Sequence, residues 1–135
     1  MNDIVFDKEY TSTYRDKYNQ LCDCEYCNLF ISKFPNKYPD VVDFLSYFGV
    51  SLDAPLEIMS LGISDTFLQH EYIAYYAVKG YLPVPKLSKS IGDISITMRN
   101  DTIAKEAYAN TDMPTPFFII EISDIFLIDN NINTV

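Results

Sequence analysis

Two long apolar segments in the second half of the chain constrain its fold more than any other feature. The segment "HEYIAYYAVKGYL", residues 70–82, carries apolar side chains on both of its alternating faces, and "FFIIEISDIFLI", residues 117–128, is equally rich in strand-forming residues. A segment of this kind must be paired within a sheet, because an exposed one aggregates. The sequence therefore predicts a central strand at residues 70–82 and a second long strand that bends at Ser123 and Asp124.

Shorter segments supply further predicted strands. "LEIMSLGI", residues 56–63, is apolar and precedes the turn-like "SDTF". "GDISITMR" alternates strictly, with Ile94, Ile96 and Met98 on one face, so that one side of this strand meets the core and the other meets water. Residues 3–21 are rich in Thr and Tyr and give mixed signals, which we interpret as strands.

Two helices are predicted ahead of the sheet. Asp23 is a good N-cap for a helix whose apolar residues recur at steps of three and four, and Pro35 is expected to end it. Pro39 suits the first position of a second helix, and Gly49 suits its left-handed C-terminal cap. Residues 22–49 are therefore predicted to form a helical hairpin.

The order of these elements indicates the fold class. Helices come first and are followed by a run of strands with short connections, together with a short helix predicted in "DTIAKEAYAN" and capped by Asp101. This arrangement is typical of an α+β protein. We expect one domain over residues 1–135, with a mainly antiparallel β-sheet packed against an N-terminal helical hairpin.

The charge of the chain limits its partners. Ten Lys and Arg stand against nineteen Asp and Glu, which gives a formal net charge of -9. This field repels phosphate backbones and anionic lipids, so we expect neither a nucleic acid nor a membrane partner, whereas a basic protein is compatible with it. Solubility alone also explains an acidic surface.

The sequence has no apolar run of about 18 residues and begins without a signal-peptide pattern, so we expect a cytoplasmic protein with reduced thiols.

All three cysteines lie in "CDCEYC", and the residues leave three interpretations open. Cys22, Cys24 and Cys27 could bind zinc, with the single histidine, His70, as a fourth ligand. Cys24 and Cys27 also form a C-x-x-C pair at a helix start, a spacing that suits thiol redox chemistry. Buried cysteine is otherwise a small apolar side chain, and His70 beside Glu71 is typical of a surface residue.

The cysteine segment also carries a resemblance. "CDCEYCNLF", followed by "YPDVVDFLSYFGVSLDAPLEI", resembles an uncharacterised family of small bacterial proteins with a C-x-C-x-Y-C motif and a short helical segment after it. The resemblance covers residues 14–58. Where that family often has Arg-Asn after the last cysteine, this chain has Asn28 and Leu29. The resemblance implies that the cysteines act as a unit and implies no particular reaction.

No complete catalytic pattern is visible in the sequence. A phosphate-binding glycine loop, a nucleophile elbow and an H-E-x-x-H motif are all missing from it, so we favour a protein that is not an enzyme. Tyr72 and Tyr76 are expected to be half exposed, and with Asp93 they are the predicted contact residues for a partner. The leading hypothesis is a non-catalytic interaction protein, for example an inhibitor or immunity-type protein that covers a basic partner. The alternatives are a thiol redox enzyme or sensor and a structural-zinc domain.

Overall fold

A computed structural model describes residues 3–17, 24–63, 69–100 and 113–128, with the backbone alone at 15–17. The helices and strands follow one another in the order β1 (Val5–Phe6), α1 (Lys8–Lys17), α2 (Glu25–Lys37), α3 (Pro39–Tyr47), β2 (Glu57–Ile63), β3 (Gln69–Tyr81), β4 (Lys86–Ile91), β5 (Ile94–Asn100) and β6 (Phe117–Ile128). No described helix is long and apolar enough to cross a lipid bilayer.

The strands form one antiparallel sheet with β3 at its centre. One edge of β3 pairs with β6, and its other edge pairs with β2 near Tyr72 and with β1 at Gly80 and Tyr81. On the far side of β6 the sheet continues through β5 to β4. The α+β class, the mainly antiparallel sheet and the central position of the strand at residues 70–82 are confirmed.

Strand β5 shows the predicted alternation. Ile94, Ile96 and Met98 are buried, whereas Thr97 and Arg99 between and beyond them are only half-buried. The apolar set faces the main core and the polar set lies on the opposite side of the sheet, because successive side chains of a strand point to opposite faces.

The predicted bend in β6 is a β-bulge. Tyr72 pairs with Ile125 and Ala74 pairs with Ile122, so β6 has one residue more than β3 between these two pairs. Asp124 takes up the extra residue with a φ of 62°, and its Oδ2 accepts a hydrogen bond of 2.6 Å from the Ser95 hydroxyl. A short polar side chain tolerates this left-handed conformation better than most residues do.

Helices α2 and α3 form the predicted hairpin and cover one face of the sheet. Their buried residues join those of the sheet in the main core, whose members from α2 and α3 are Leu29, Phe30, Phe34, Val41, Phe44 and Leu45. Pro39 is the first residue of α3, as predicted, and Gly49 follows that helix with a φ of +85°.

Two details of α2 differ from the prediction. Cys24, rather than Asp23, occupies the N-cap position of the helix. Pro35 lies inside α2, which continues to Lys37, and the Tyr38 amide still donates to the Phe34 carbonyl at 2.8 Å. Proline removes only its own N–H donor, so the turn that follows it can still form.

The interpretation of residues 3–21 as strands is wrong for most of the described part. Only Val5–Phe6 is extended, and α1 begins directly afterwards because the Asp7 carboxylate accepts the Tyr10 amide hydrogen bond at 2.8 Å and caps the helix. Helix α1 packs on the sheet face opposite the hairpin. The second core cluster there consists of Tyr14, Leu56, Ala77, Met113, Phe117 and Ile119.

Several sequence predictions fall outside the described residues. These are the helix in "DTIAKEAYAN" with its cap Asp101, the turn-like "SDTF" and the predicted zinc ligand Cys22.

Candidate functional site

The first turn of α2 holds the two described cysteines. Cys24 has an extended backbone, and its Sγ accepts a hydrogen bond of 3.4 Å from the backbone N–H of Cys27. The sulfur thus occupies the position of a capping oxygen at the positive end of the helix, where a negative charge is stabilised. Cys24 is partly accessible and Cys27 is buried, and the two are not bonded to each other in a disulfide.

His70 lies beside this turn, near the start of β3. Only 2% of its surface is exposed, so the expectation of a surface histidine is wrong. Its ring centroid is 5.4 Å from that of Tyr26, the residue that precedes Cys27. Within the described part of the chain neither ring nitrogen has a hydrogen-bond partner. A neutral imidazole carries one donor and one acceptor, so this side chain is buried with its hydrogen-bonding capacity unused.

The described residues do not themselves contain a metal cluster. Among them, no group of three or more His, Cys, Asp or Glu side chains could hold a metal ion. Because Cys22 lies outside these residues, the four-ligand site of Cys22, Cys24, Cys27 and His70 stays a prediction.

Tyr72 and Tyr76 are both fully buried, and the prediction that they are half exposed is wrong. The Tyr72 hydroxyl donates to the Tyr26 carbonyl at 2.9 Å, and the Tyr76 hydroxyl donates to the Leu52 carbonyl at 2.7 Å. Both hydroxyls are therefore hydrogen-bonded to backbone carbonyls. These two side chains connect β3 to the first turn of α2 and to the segment that follows α3. Neither can contact a partner directly.

Asp93 is exposed, and its role as a contact residue stays a prediction. It lies in the tight turn between β4 and β5 and lines a cleft of about 240 Å³. Lys37 and Asp40 from the helical hairpin line the same cleft. The mixed charges of these side chains give the cleft no strong preference for either sign of ligand.

The outer edge of β2 was not identified from the sequence. Met59, Leu61 and Ile63 are 39%, 46% and 42% exposed, although all three are large and apolar. Among the described strands, β2 pairs with β3 alone. The sequence does show that residues 56–63 are apolar, but whether such a strand is central or at an edge depends on pairings with distant segments.

Two exposed side chains connect this edge to the cysteine turn. Ile63 pairs with His70 across the sheet, while Tyr26, 44% exposed, lies against the His70 ring. Tyr26 and Ile63 thus flank the same buried histidine. Met59 pairs with Ile73 and Ile63 pairs with His70, so these two side chains lie on opposite faces of the sheet. The exposed residues Tyr26, Met59, Leu61 and Ile63 therefore surround the outer edge of β2, and we call them the edge patch.

Comparison of the chain with protein-family models, with curated proteins and with solved structures finds no match.

Proposed function

We propose that the protein is a non-catalytic binding module that takes up an extended, basic segment of a partner protein along the outer edge of β2. The exposure of three large apolar side chains, Met59, Leu61 and Ile63, on a strand with one described neighbour carries the proposal. It extends to a cytoplasmic setting and to an inhibitor or immunity-type role, in which the partner is a basic protein whose surface becomes covered.

A strand edge is a suitable receptor for an extended segment. It presents a row of backbone N–H and C=O groups, and an added strand forms main-chain hydrogen bonds with them while its side chains contact those of the edge. Proteins usually protect such an edge with lysine, proline, inward-pointing charge or a β-bulge. In "EIMSLGI", the sequence of β2, Glu57 is the only charged residue and no proline occurs. A bulge at Leu61 interrupts the edge between Ser60 and Gly62, so an added strand pairs with the stretches on either side of it.

The charge distribution supports a basic occupant. The chain carries a net charge of -9. Glu57 lies at the start of β2, Glu71 pairs with Gly62 across the sheet, and Glu25 is exposed in the same turn as Tyr26. A second copy of this chain would bring like charges together at this edge, whereas a segment rich in Lys or Arg is attracted to it.

Affinity capture from the native cell extract, at low and at moderate salt, tests this proposal with two matched variants. Leu61→Lys puts a positive charge in the middle of the edge patch. Val84→Lys puts the same charge on a comparably exposed apolar residue in the turn after β3. We expect a protein with a basic surface to be retained by the wild type and by Val84→Lys, to be lost with Leu61→Lys, and to be released as salt rises.

Amide hydrogen exchange in the captured complex then locates the contact. We expect added protection of the amides of residues 57–63, because a strand that pairs with β2 engages its outward N–H groups. If no macromolecule is retained at either salt, or if the retained protein is indifferent to Leu61→Lys, the proposal fails. Sedimentation that shows a dimer abolished by Leu61→Lys would replace the basic partner by a second copy of the chain.

A further inference from the structure

The turn that opens α2 has a second property that partner binding does not require. Cys24 and Cys27 are three residues apart at the start of a helix, a spacing that a disulfide can bridge. The Cys24 sulfur accepts the Cys27 amide N–H at 3.4 Å. An N–H donor together with the positive end of the helix stabilises a thiolate, and the thiolate is the form of cysteine that acts as a nucleophile.

The two sulfurs differ in accessibility. Cys24 is partly exposed, whereas Cys27 is 7% exposed. A disulfide in solution can therefore reach the Cys24 sulfur but not the buried Cys27 sulfur. This difference suits a two-step exchange, in which one sulfur attacks the substrate and the other attacks the mixed disulfide that results.

His70 provides an independent observation at the same place. Its ring lies against Tyr26, between the two cysteines in sequence, and it is 98% buried with neither nitrogen bonded within the described part of the chain. Buried polar groups are almost always hydrogen-bonded, and an exception of this kind is typical of a functional site.

We propose that, beside its binding role, the protein carries a dithiol site in which Cys24 and Cys27 reduce disulfides located next to positive charges, one disulfide for each protein molecule. The Cys24 thiolate attacks one sulfur of the substrate disulfide, forming a mixed disulfide and releasing the other substrate sulfur as a thiolate, which takes up a proton from water. The Cys27 thiol loses its proton to water, and its sulfur then attacks Cys24 Sγ and releases the second substrate sulfur as a thiolate, which takes up a proton from water. The protein dithiol is oxidised to a disulfide by two electrons, and the substrate disulfide is reduced to two thiols.

The preference for positively charged substrates follows from the surroundings of the turn. Glu25 is exposed directly after Cys24, and the chain as a whole carries a charge of -9. An anionic disulfide is repelled as it approaches, and a cationic one is attracted. This activity does not depend on the edge patch being a binding surface.

Three small disulfides of different charge test the proposal directly. The reduced protein is mixed with cystamine, which is cationic, with bis(2-hydroxyethyl) disulfide, which is neutral, or with oxidised glutathione, which is anionic, and the products are quenched with acid and weighed by mass spectrometry. We expect rates in that order, with differences that shrink as salt rises, and with cystamine an attack by Cys24 about tenfold faster than by free cysteine at neutral pH. Attack no faster than by free cysteine, or rates in the reverse order, would overturn the proposal.

Single substitutions show which cysteine sulfur acts in which step. Cys27→Ser should stop the reaction at a mixed disulfide on Cys24, and Cys24→Ser should suppress the attack while the serine preserves the helix cap. Cys22→Ser should still form the Cys24–Cys27 disulfide, and its loss in that variant would overturn the pairing. Circular dichroism confirms that each variant is folded.

Discussion

The hydroxyl of Tyr72 donates a hydrogen bond of 2.9 Å to the backbone carbonyl of Tyr26, and this bond ties the centre of the sheet to the turn that carries the cysteines. The contact joins residues 46 positions apart in sequence. It sets the distance between β3 and the start of α2, and so the position of His70 beside that turn. The stability of this turn should therefore depend on one buried hydroxyl.

Replacing Tyr72 by Phe should lower the free energy of unfolding by about 1 kcal/mol, because the Tyr26 carbonyl loses its buried donor while the ring is kept. Urea unfolding measures the loss. Hydrogen exchange should show faster opening of the first turn of α2. Tyr76→Phe is the matched control, since its hydroxyl donates to Leu52 instead. Equal effects of both variants on α2 exchange would show that the Tyr72–Tyr26 bond has no local role.

Replacing His70 by Leu should raise the free energy of unfolding by about 1 kcal/mol, since it removes two unpartnered polar atoms from a buried position at similar volume. Thr11→Val is the control: Thr11 is also buried, but its hydroxyl donates to the Asp7 carbonyl and accepts from the Lys79 amide, so this change should destabilise. Thermal or urea unfolding measures both.

A destabilised His70→Leu protein would contradict this prediction and show that the ring is bonded. If a chelator lowered the wild-type midpoint by the same amount and left the variant unchanged, the bonded partner would be a metal ion. Elemental analysis of the purified protein would then be expected to find zinc, and the four-ligand hypothesis with Cys22 would gain support.

Replacing Asp124 by Ala should destabilise the protein by about 2 kcal/mol, because alanine is strained at a φ of 62° and cannot accept the hydrogen bond of Ser95. Asp124→Gly removes the strain and loses only the bond, so about half of the effect should remain. Ser95→Ala should match Asp124→Gly. If Asp124→Ala and Asp124→Gly were equally stable in urea unfolding, backbone strain at the bulge would be ruled out as a cause.

Replacing Gly80 by Ala should cost about 3 kcal/mol and detach β1. A Cβ atom at this position would meet the backbone of Val5 and Phe6, and the φ of +143° is unfavourable for any other residue. Gly92→Ala has a positive φ but open space around it, so it should cost about 1 kcal/mol. Hydrogen exchange should show lost protection at β1 in Gly80→Ala alone.

The parts of the fold that local chemistry determines could be predicted from the sequence. Pro39 and Gly49 delimit α3 because a proline and a left-handed glycine act within one turn of the backbone. The bulge at Asp124 was also visible as a polar interruption of an apolar strand. Helix α1 was missed although Asp7 is a good cap and Glu9 suits the first turn, because the strand preference of Thr and Tyr was given more weight.

The site could be predicted only in part, because it depends on contacts between distant segments. The sequence placed Cys24 and Cys27 at a helix start, which is local. That α2 crosses the sheet so that Tyr26 covers His70 is set by packing of the whole hairpin. The exposure of Tyr72 was misjudged for the same reason: its hydroxyl is satisfied by a carbonyl from another element, and no spacing in the sequence reveals that acceptor.

The position of β6 between β3 and β5 has a consequence for biosynthesis. The other eight described elements precede β6 in the chain, yet β3 and the β4–β5 hairpin share no neighbour until β6 joins them. During translation, α2 and α3 therefore emerge from the ribosome well before the sheet they cover is complete. Apolar residues of the helices and of β3 and β5 therefore stay exposed until β6 has left the exit tunnel, and exposed apolar surface of this kind favours aggregation of unfinished chains.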